Sequence, residues 1–339
     1  MTLNNDNDGD AATEAVHSTS RDRLTVTVVR ATQRIARFPP PHLRKPLMFV
    51  AAGVFMTGAV VAASRLDITW ASLEWRWIAL ASIVGVPLTI ATKTLEFLIS
   101  GRVIGVRIGF VAGVKVSVLS SAANLLPIPG SVLVRVQALR QTGQPYGRAT
   151  YTTAIMGIAW VGVAVLAAGA FLIGFGATFL GTAGSFGGVV MLAVALILAS
   201  RRLESGVRMR LTAAILGVEI LSVAIGGVRL YLVLLALGEQ ATLTAATLLT
   251  LAGVLASASG VLPGGLGLRE LFATVLVPLA GVSGAVGFLA SAVDRIVGLA
   301  VHAPLALLYS ARRGEVPNPS EGPRTPSTSR NPNDGSSSG

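Results

Sequence analysis

The chain has no cysteine and only three histidines, His17, His42 and His302. Without cysteine it cannot form disulfides, thiolate metal sites or a cysteine nucleophile. The histidines are too widely separated to predict a metal site. No nucleophile, base and orienting group recur together, and the phosphate-binding pattern GxxxxGKS/T does not occur. We therefore expect neither an enzyme nor a direct ATPase, and no metal or cofactor.

Charge is scarce as well. Charged residues make up 13% of the 339 residues and hydrophobic residues 52%, and the mean hydropathy is +0.69. Soluble domains contain about 25% charged residues, so the composition predicts a membrane protein. The formal net charge is +11, but the basic residues lie at the N-terminus and between apolar runs. That distribution favours membrane lipids over nucleic acid as partners.

Apolar runs of the length that crosses a bilayer recur along the chain. Two further apolar stretches, 108 to 141 and 241 to 281, are broken by proline and glycine into arms too short to span, and we interpret them as re-entrant helical hairpins. The predicted fold is therefore an all-α polytopic membrane protein with six spanning helices and two re-entrant hairpins. The predicted spans are 47 to 64, 77 to 99, 149 to 175, 183 to 200, 211 to 237 and 284 to 310.

Both ends of the chain differ in composition from this transmembrane domain, which we place at 46 to 312. Residues 1 to 45 are polar and basic, and we predict that 1 to 20 are disordered. Residues 24 to 38 fit either an amphipathic helix on an anionic leaflet or a solvated linker. Residues 313 to 339 are rich in proline, serine, asparagine and glycine, so we predict a disordered tail.

An internal repeat divides the transmembrane domain. PGSVLVR begins at Pro129 and PGGLGLR begins 134 residues later, at Pro263. The same offset carries the first three spans onto the last three. We therefore predict two repeats, about 46 to 176 and 180 to 312. Each crosses the membrane an odd number of times, so the second is inverted relative to the first.

Loop charges predict the orientation of the spans. Arginine and lysine cluster before the first span and after the second, fourth and last spans, all on one side. The positive-inside rule places that side, with both termini, in the cytoplasm. An arginine-rich and glycine-rich composition is typical of GC-rich bacterial genomes, so we expect a multi-pass protein of the bacterial inner membrane.

The hairpins carry the candidate substrate site. Each Pro-Gly break leaves free backbone N–H groups and a positive helix end at mid-depth, where an anion fits. Arg135 and Arg269 follow the breaks at equal distance, and a guanidinium can fork onto a phosphate or carboxylate. Alternatively, each arginine pairs with a local acid, such as Glu270 or Glu219 for Arg269, or snorkels to an interface. The predicted substrate-binding residues are Asn124, Pro129, Gly130, Arg135, Pro263, Gly264, Gly265, Gly267, Arg269 and Glu270.

Ionisable residues inside spans are costly and often functional. Lys93 and Glu96, three residues apart, can form a neutral pair on one helix face. The candidates for proton or ion coupling are Asp294, Glu96 and Glu219.

VLPGGLGLREL at 261 to 271 and NLLPIPGSVLVRVQALR at 124 to 140 resemble the transmembrane region of the lysylphosphatidylglycerol synthase family, also called flippase-like. The resemblance covers about residues 45 to 312. It implies movement of aminoacylated or other lipids between leaflets. Where members often carry Glu-Arg and then Asp early in the third span, this chain has Met156, Gly157 and Val161. No aminoacyltransferase domain follows Arg313, so we do not expect synthase activity.

The resulting hypothesis is a translocator of a lipid or lipid-linked anionic amphiphile that holds an anionic headgroup. Two alternatives remain open. One is an ion-coupled secondary transporter of a small solute. The other is a non-transporting membrane partner of a lipid-modifying enzyme.

Overall fold

The computed structural model describes residues 41–66, 71–123, 130–201, 205–259, 265 and 267–311. Every regular element in these ranges is helical, and none is a strand. The predicted amphipathic segment and the C-terminal tail lie outside the described residues. In chain order the helices are α1 Pro41–Arg65, α2 Trp75–Val103, α3 Phe110–Ala123, α4 Gly130–Arg140, α5 Tyr146–Gly174, α6 Thr178–Ser200, α7 Ser205–Ala236, α8 Leu243–Ser259, α9 Leu268–Leu276 and α10 Gly284–Ala311.

Five of these helices contain stretches long and apolar enough to cross a membrane, namely Trp75–Val103, Tyr146–Gly174, Thr178–Ser200, Met209–Ala236 and Gly284–Tyr309. They cover five of the six predicted spans. The remaining predicted span, 47 to 64, falls within α1, a helix of 25 residues that is not among these five.

The helices that carry the repeated motif are short. The arms α3 and α4 have 14 and 11 residues, and α8 and α9 have 17 and 9. At 1.5 Å per residue their lengths range from about 14 to 26 Å, less than the ~30 Å of a hydrocarbon core. The two arms of each pair pack on one another. In the first pair, a Cβ on Gly130 would collide with the carbonyl of Ala123, so the start of α4 lies directly on the end of α3.

Packing between the helices follows a reciprocal pattern. Helix α3 packs against α2, α4 and α10, whereas α8 packs against α7, α9 and α5. Similarly, α1 packs on α10 and α6 packs on α5, while α2 and α7 pack on each other. Each short pair therefore packs against the spanning helix that follows the other pair.

The distribution of polarity is the reverse of that in a water-soluble protein. Phe179, Ile83 and Phe186 are 82%, 74% and 72% exposed, whereas Glu219 and Asp294 are 0% exposed. Water would favour burying the aromatic and aliphatic side chains and exposing the carboxylates. This distribution fits a molecule surrounded by lipid, with its polar groups facing one another inside.

Candidate functional site

The buried charges form two groups on the inner faces of the helices. We name Lys93, Glu96, Arg135 and Glu219 the first cluster. The second cluster comprises Arg229, Arg269 and Asp294, with the pair Glu270–Arg295 beside it. The first cluster has residues from α2, α4 and α7, and the second has residues from α7, α9 and α10. The helix packing described above brings these residues together.

In the first cluster, Glu96 is held by two cations. Lys93 lies three residues earlier on α2 and donates from Nζ to Glu96 Oε2 at 2.7 Å. Arg135, from α4, donates to Glu96 Oε1. Lys93 Nζ also stands over the Trp160 ring of α5, 4.3 Å from its centroid. The predicted Lys93–Glu96 pair is thus confirmed, and Arg135 joins it.

Glu219 lies next to this group but is bonded to none of it. Its side chain is fully buried on α7, and neither carboxylate oxygen has a hydrogen-bond partner in the described part of the chain. The charges of Glu96, Lys93 and Arg135 all act on it. Burying an ionised carboxylate without hydrogen bonds costs several kcal/mol more free energy than burying a paired one. Glu219 is therefore the buried acid whose ionised form is least stabilised by its surroundings.

The second cluster is centred on Asp294 of α10. Arg229 of α7 forks onto it, with Nε to Oδ1 at 2.5 Å and a terminal nitrogen to Oδ2 at 2.9 Å. Arg269 of α9 donates to the same Oδ2 at 2.5 Å. The second terminal nitrogen of Arg229 reaches Thr89 Oγ1 on α2 at 3.1 Å. One carboxylate therefore joins two arginines, and four helices meet there.

The backbone of α2 makes room for Arg229. A π-helical turn, Ala81–Gly85, interrupts α2, and a Cβ at Gly85 would lie 3.1 Å from Arg229 Cγ. Pro87, two residues on, has no N–H to donate to this turn. Such turns are frequent at functional sites.

The pair Glu270–Arg295 fixes α9 to α10. Arg295 Nε donates to Glu270 Oε1 at 2.9 Å, and a terminal nitrogen donates to the carbonyl of Gly265 at 3.1 Å. Gly265 and Gly267 have φ of 66° and 76°, which side-chain-bearing residues rarely adopt. The turn before α9 therefore depends on glycine at these two positions.

Charge does not balance in the second cluster. Two guanidinium groups face the single carboxylate of Asp294, and the adjacent Glu270–Arg295 pair is neutral. One buried positive charge is therefore uncompensated among the described residues. The side chains of Arg229 and Arg269 are 13% and 17% exposed, so both keep some access to their surroundings.

The clusters occupy different positions along the antiparallel pair α2 and α7. Gly85 lies against Arg229, whereas Glu96 acts on Glu219, so the numbering rises on one helix as it falls on the other. Glu219 and Arg229 are ten residues apart on α7, or about 15 Å along the axis.

Several sequence predictions need correction or fall outside the described residues. Arg269 pairs with neither Glu270 nor Glu219, because α9 faces Asp294 of α10. Arg135 and Arg269, predicted in one site, belong to separate clusters. Arg229 and Arg295 are the partners that sequence reasoning missed, although both stand out as charges inside apolar spans. The remaining predicted residues Asn124, Pro129, Pro263 and Gly264 lie outside the described ranges.

A buried charged interior, an apolar exterior and five helices of spanning length define a multi-pass α-helical membrane protein. Within the described ranges no group of three or more metal-binding side chains comes together. A scan against protein-family models and a search of curated proteins found no match to the chain. The chemistry of the two clusters therefore carries the functional argument.

Proposed function

We propose that the protein moves an anionic amphiphile, a lipid or lipid-linked phosphate or carboxylate, between the leaflets of a membrane. The observation that carries the proposal is the uncompensated positive charge shared by Arg229 and Arg269. A buried unpaired cation is costly. An anionic headgroup that enters the second cluster removes that cost, and two guanidinium groups can fork onto its oxygens.

The two clusters form stations at different depths. Glu96 lies seven residues before the end of α2 and Arg229 lies seven residues before the end of α7, or about 10 Å from each helix end. Because the two helices run antiparallel, each station lies nearer to a different face of the membrane. A headgroup that passes from Arg135 to Arg269 changes leaflets.

Helix α9 favours a lipid over a water-soluble anion. Leu271 and Val275 are 48% and 69% exposed on its outer side, while Arg269 and Glu270 face inward. Only the thickness of one helix, about 10 Å, stands between surrounding lipid and the second cluster. A headgroup can enter beside such a short helix while its acyl chains stay in the bilayer.

The helix bounds support an inverted repeat as the framework for this movement. Shifted by the 134-residue offset, α1 to α5 coincide with α6 to α10 to within four residues at every helix end. The reciprocal packing of α3 on α10 and of α8 on α5 has the form that exchange of two equivalent halves produces. We propose that α3–α4 and α8–α9 are re-entrant hairpins and that α1 is the sixth span.

The resemblance to the flippase-like family points to the same activity. We place the protein in the bacterial inner membrane with both termini in the cytoplasm, as the loop charges predict. Arg135 and its cluster then lie toward the cytoplasm, and Arg269 and its cluster lie toward the outside.

Leaflet exchange of fluorescent phosphatidylglycerol in proteoliposomes tests the proposal. Arg269→Gln removes the excess charge but leaves the neutral Arg229–Asp294 pair, so the fold should persist. We expect exchange to slow by about tenfold or more, since a hydrogen bond to a charged group contributes about 1.5–3 kcal/mol. Arg76→Gln, which breaks an exposed pair with Glu74, is the control and should change the rate less than twofold.

Three results would separate the alternatives. Equal exchange by wild type and Arg269→Gln would remove the second cluster from the mechanism. No exchange of any lipid class, together with uptake of a soluble phosphate or carboxylate, would replace the lipid with a small solute. If neither is transported, the remaining alternative is a non-transporting membrane partner of a lipid-modifying enzyme.

A further inference from the structure

Glu219 differs from the other fully or almost fully buried carboxylates in the described residues. Glu96 has two cationic partners, Asp294 has two and Glu270 has one. Glu219 has none, and both of its oxygens lack a hydrogen bond. Glu219 bonds neither Arg135 nor Arg269, so the headgroup-binding role proposed for those arginines does not explain why it is there.

The groups that face Glu219 can be enumerated helix by helix. Lys93 and Glu96 of α2 and Arg135 of α4 act on it electrostatically. Helices α6 and α8 contain no ionisable side chain. On α10, Asp294 faces Arg229, ten positions further along α7, Arg295 pairs with Glu270, and the His302 ring bonds the carbonyl of Gly298.

Helix α5 also packs against α7, and near Glu219 this packing is apolar. Ile155 and Met156 of α5 contact the buried group that contains Ile215 and Val218 of α7. Tyr151 donates its hydroxyl to the carbonyl of Leu198 at 3.1 Å. Tyr146 and Arg148 lie in the first turn of α5, outside that apolar group.

Charge balance couples Glu219 to the first station. Lys93 and Arg135 carry two positive charges and Glu96 carries one negative charge. The remaining positive charge can be neutralised in two ways, either by ionised Glu219 or by an anion bound at Arg135. When an anion occupies the station, the electrostatic reason for Glu219 to stay ionised disappears, and its lack of hydrogen bonds favours the neutral acid.

We infer that Glu219 is a proton-binding site whose protonation is coupled to anion binding at Arg135, so that the protein carries a proton together with its anionic substrate. This inference rests on the proposed function and names its driving ion. Anion binding draws one proton from water onto Glu219, and release of the anion returns it. By linkage, protonation of Glu219 strengthens anion binding by the same factor.

The surroundings of Glu219 suit a proton better than a metal cation. Metal sites in proteins combine several ligands, and in the described part of the chain no three His, Cys, Asp or Glu side chains come together around Glu219. The positive charges of Lys93 and Arg135 would also repel a metal cation close to Glu219. A proton needs only the carboxylate itself.

Infrared titration of the full-length protein in lipid nanodiscs tests the proton site without any transport assay. We expect a carbonyl band of a protonated carboxylic acid that responds to pH, persists in Glu239→Gln and is missing from Glu219→Gln. Both variants make the same chemical change, but Glu239 lies in the loop after α7. A band that is missing from wild type, survives in Glu219→Gln or responds to Na⁺ rather than pH overturns the inference.

Coupling is measured by adding a short-chain phosphatidylglycerol to the same nanodiscs in weak buffer with a pH indicator. Wild type and Glu239→Gln should take up close to one proton per protein, and Glu219→Gln should take up none. If adding the lipid to wild type leaves the pH unchanged, the proposed coupling is wrong. The infrared band reports on Glu219 whether or not lipid exchange occurs in vesicles, so failure of the proposed function and failure of this inference give different results.

Discussion

Arg229 of α7 and Asp294 of α10 form a two-pronged ion pair across 65 residues of sequence. The fork fixes the rotation of both helices at once, because both nitrogens must face both carboxylate oxygens. Thr89 of α2 holds the third nitrogen and Arg269 of α9 shares the carboxylate. The pair therefore links α7 and α10 directly, and through the same two side chains it also contacts α9 and α2.

Replacing Asp294 with asparagine should destabilise the protein strongly. The substitution keeps the size of the side chain but leaves two guanidinium groups buried without a countercharge. Breaking a buried pair in this way costs about 3–5 kcal/mol. We expect a much lower apparent Tm in detergent, followed by circular dichroism at a fixed heating rate.

Glu74→Gln provides the matched control, because it breaks an ion pair in which Arg76 and Glu74 are 73% and 43% exposed. That loss should stay below about 1 kcal/mol. Similar Tm values for the two variants would show that Asp294 is not required to neutralise its arginines.

Removal of Glu96 should be tolerated better than removal of Asp294, because a second acid stands beside the first cluster. In Glu96→Gln, ionised Glu219 can take over as countercharge for Lys93 and Arg135. In the double variant Glu96→Gln/Glu219→Gln no acid remains there. The double variant should therefore lose about 1–3 kcal/mol more than the two single variants together, measured from the same Tm comparison.

If the stability losses of the two single variants simply add in the double variant, Glu219 does not act as a countercharge for Lys93 and Arg135. Glu239→Gln combined with Glu96→Gln is the control pair, since Glu239 lies in the loop after α7 and should add nothing.

The position of the helices could be predicted because membrane spans leave a simple mark in sequence, a long apolar run. The predicted span 77 to 99 lies wholly inside Trp75–Val103, and the predicted span 183 to 200 lies inside Thr178–Ser200. Lys93 and Glu96 could also be paired in advance, because residues three apart share a helix face.

Partners on different helices could not be assigned in this way. Arg269 is adjacent to Glu270 in sequence, yet adjacent residues on a helix point in different directions, and the crossing of α9 with α10 brings Asp294 to it instead. Glu270 bonds Arg295 for the same reason. Whether an acid is paired, as Glu96 is, or isolated, as Glu219 is, depends on these crossings and not on spacing.

A glycine seam joins α5 and α6, and it should be sensitive to the addition of one methyl group. A Cβ at Gly188 would lie 2.5 Å from the backbone nitrogen of Leu166 and 2.7 Å from its Cα, so the helices would have to separate. We expect Gly188→Ala to lower stability by about 1–3 kcal/mol. Gly187→Ala is the control, because nothing lies within 4 Å of its added Cβ. The alanine there should be neutral or slightly stabilising, and equal effects on Tm would argue against this packing.

The native absence of cysteine makes the proposed topology directly testable with single-cysteine variants and a membrane-impermeant maleimide in intact cells. The exposed residues Arg107 and Gln141 flank the first hairpin, and Gln240 and Ser283 flank the second. A re-entrant hairpin returns to the side from which it entered. We therefore expect Arg107→Cys and Gln141→Cys to react only after permeabilisation, and Gln240→Cys and Ser283→Cys to react in intact cells.

The four positions also distinguish the alternative folds. If each short pair crosses the membrane, the two cysteines that flank it will label from opposite sides. If the halves are parallel and not inverted, both pairs will label from the same side. Arg201→Cys, in the link between α6 and α7, fixes the reference, because the inverted arrangement places it with Arg107 and Gln141. Only labelling of one flanking pair from outside and the other from inside puts the two arginine stations nearer to opposite faces, as the proposed passage of a headgroup from Arg135 to Arg269 requires.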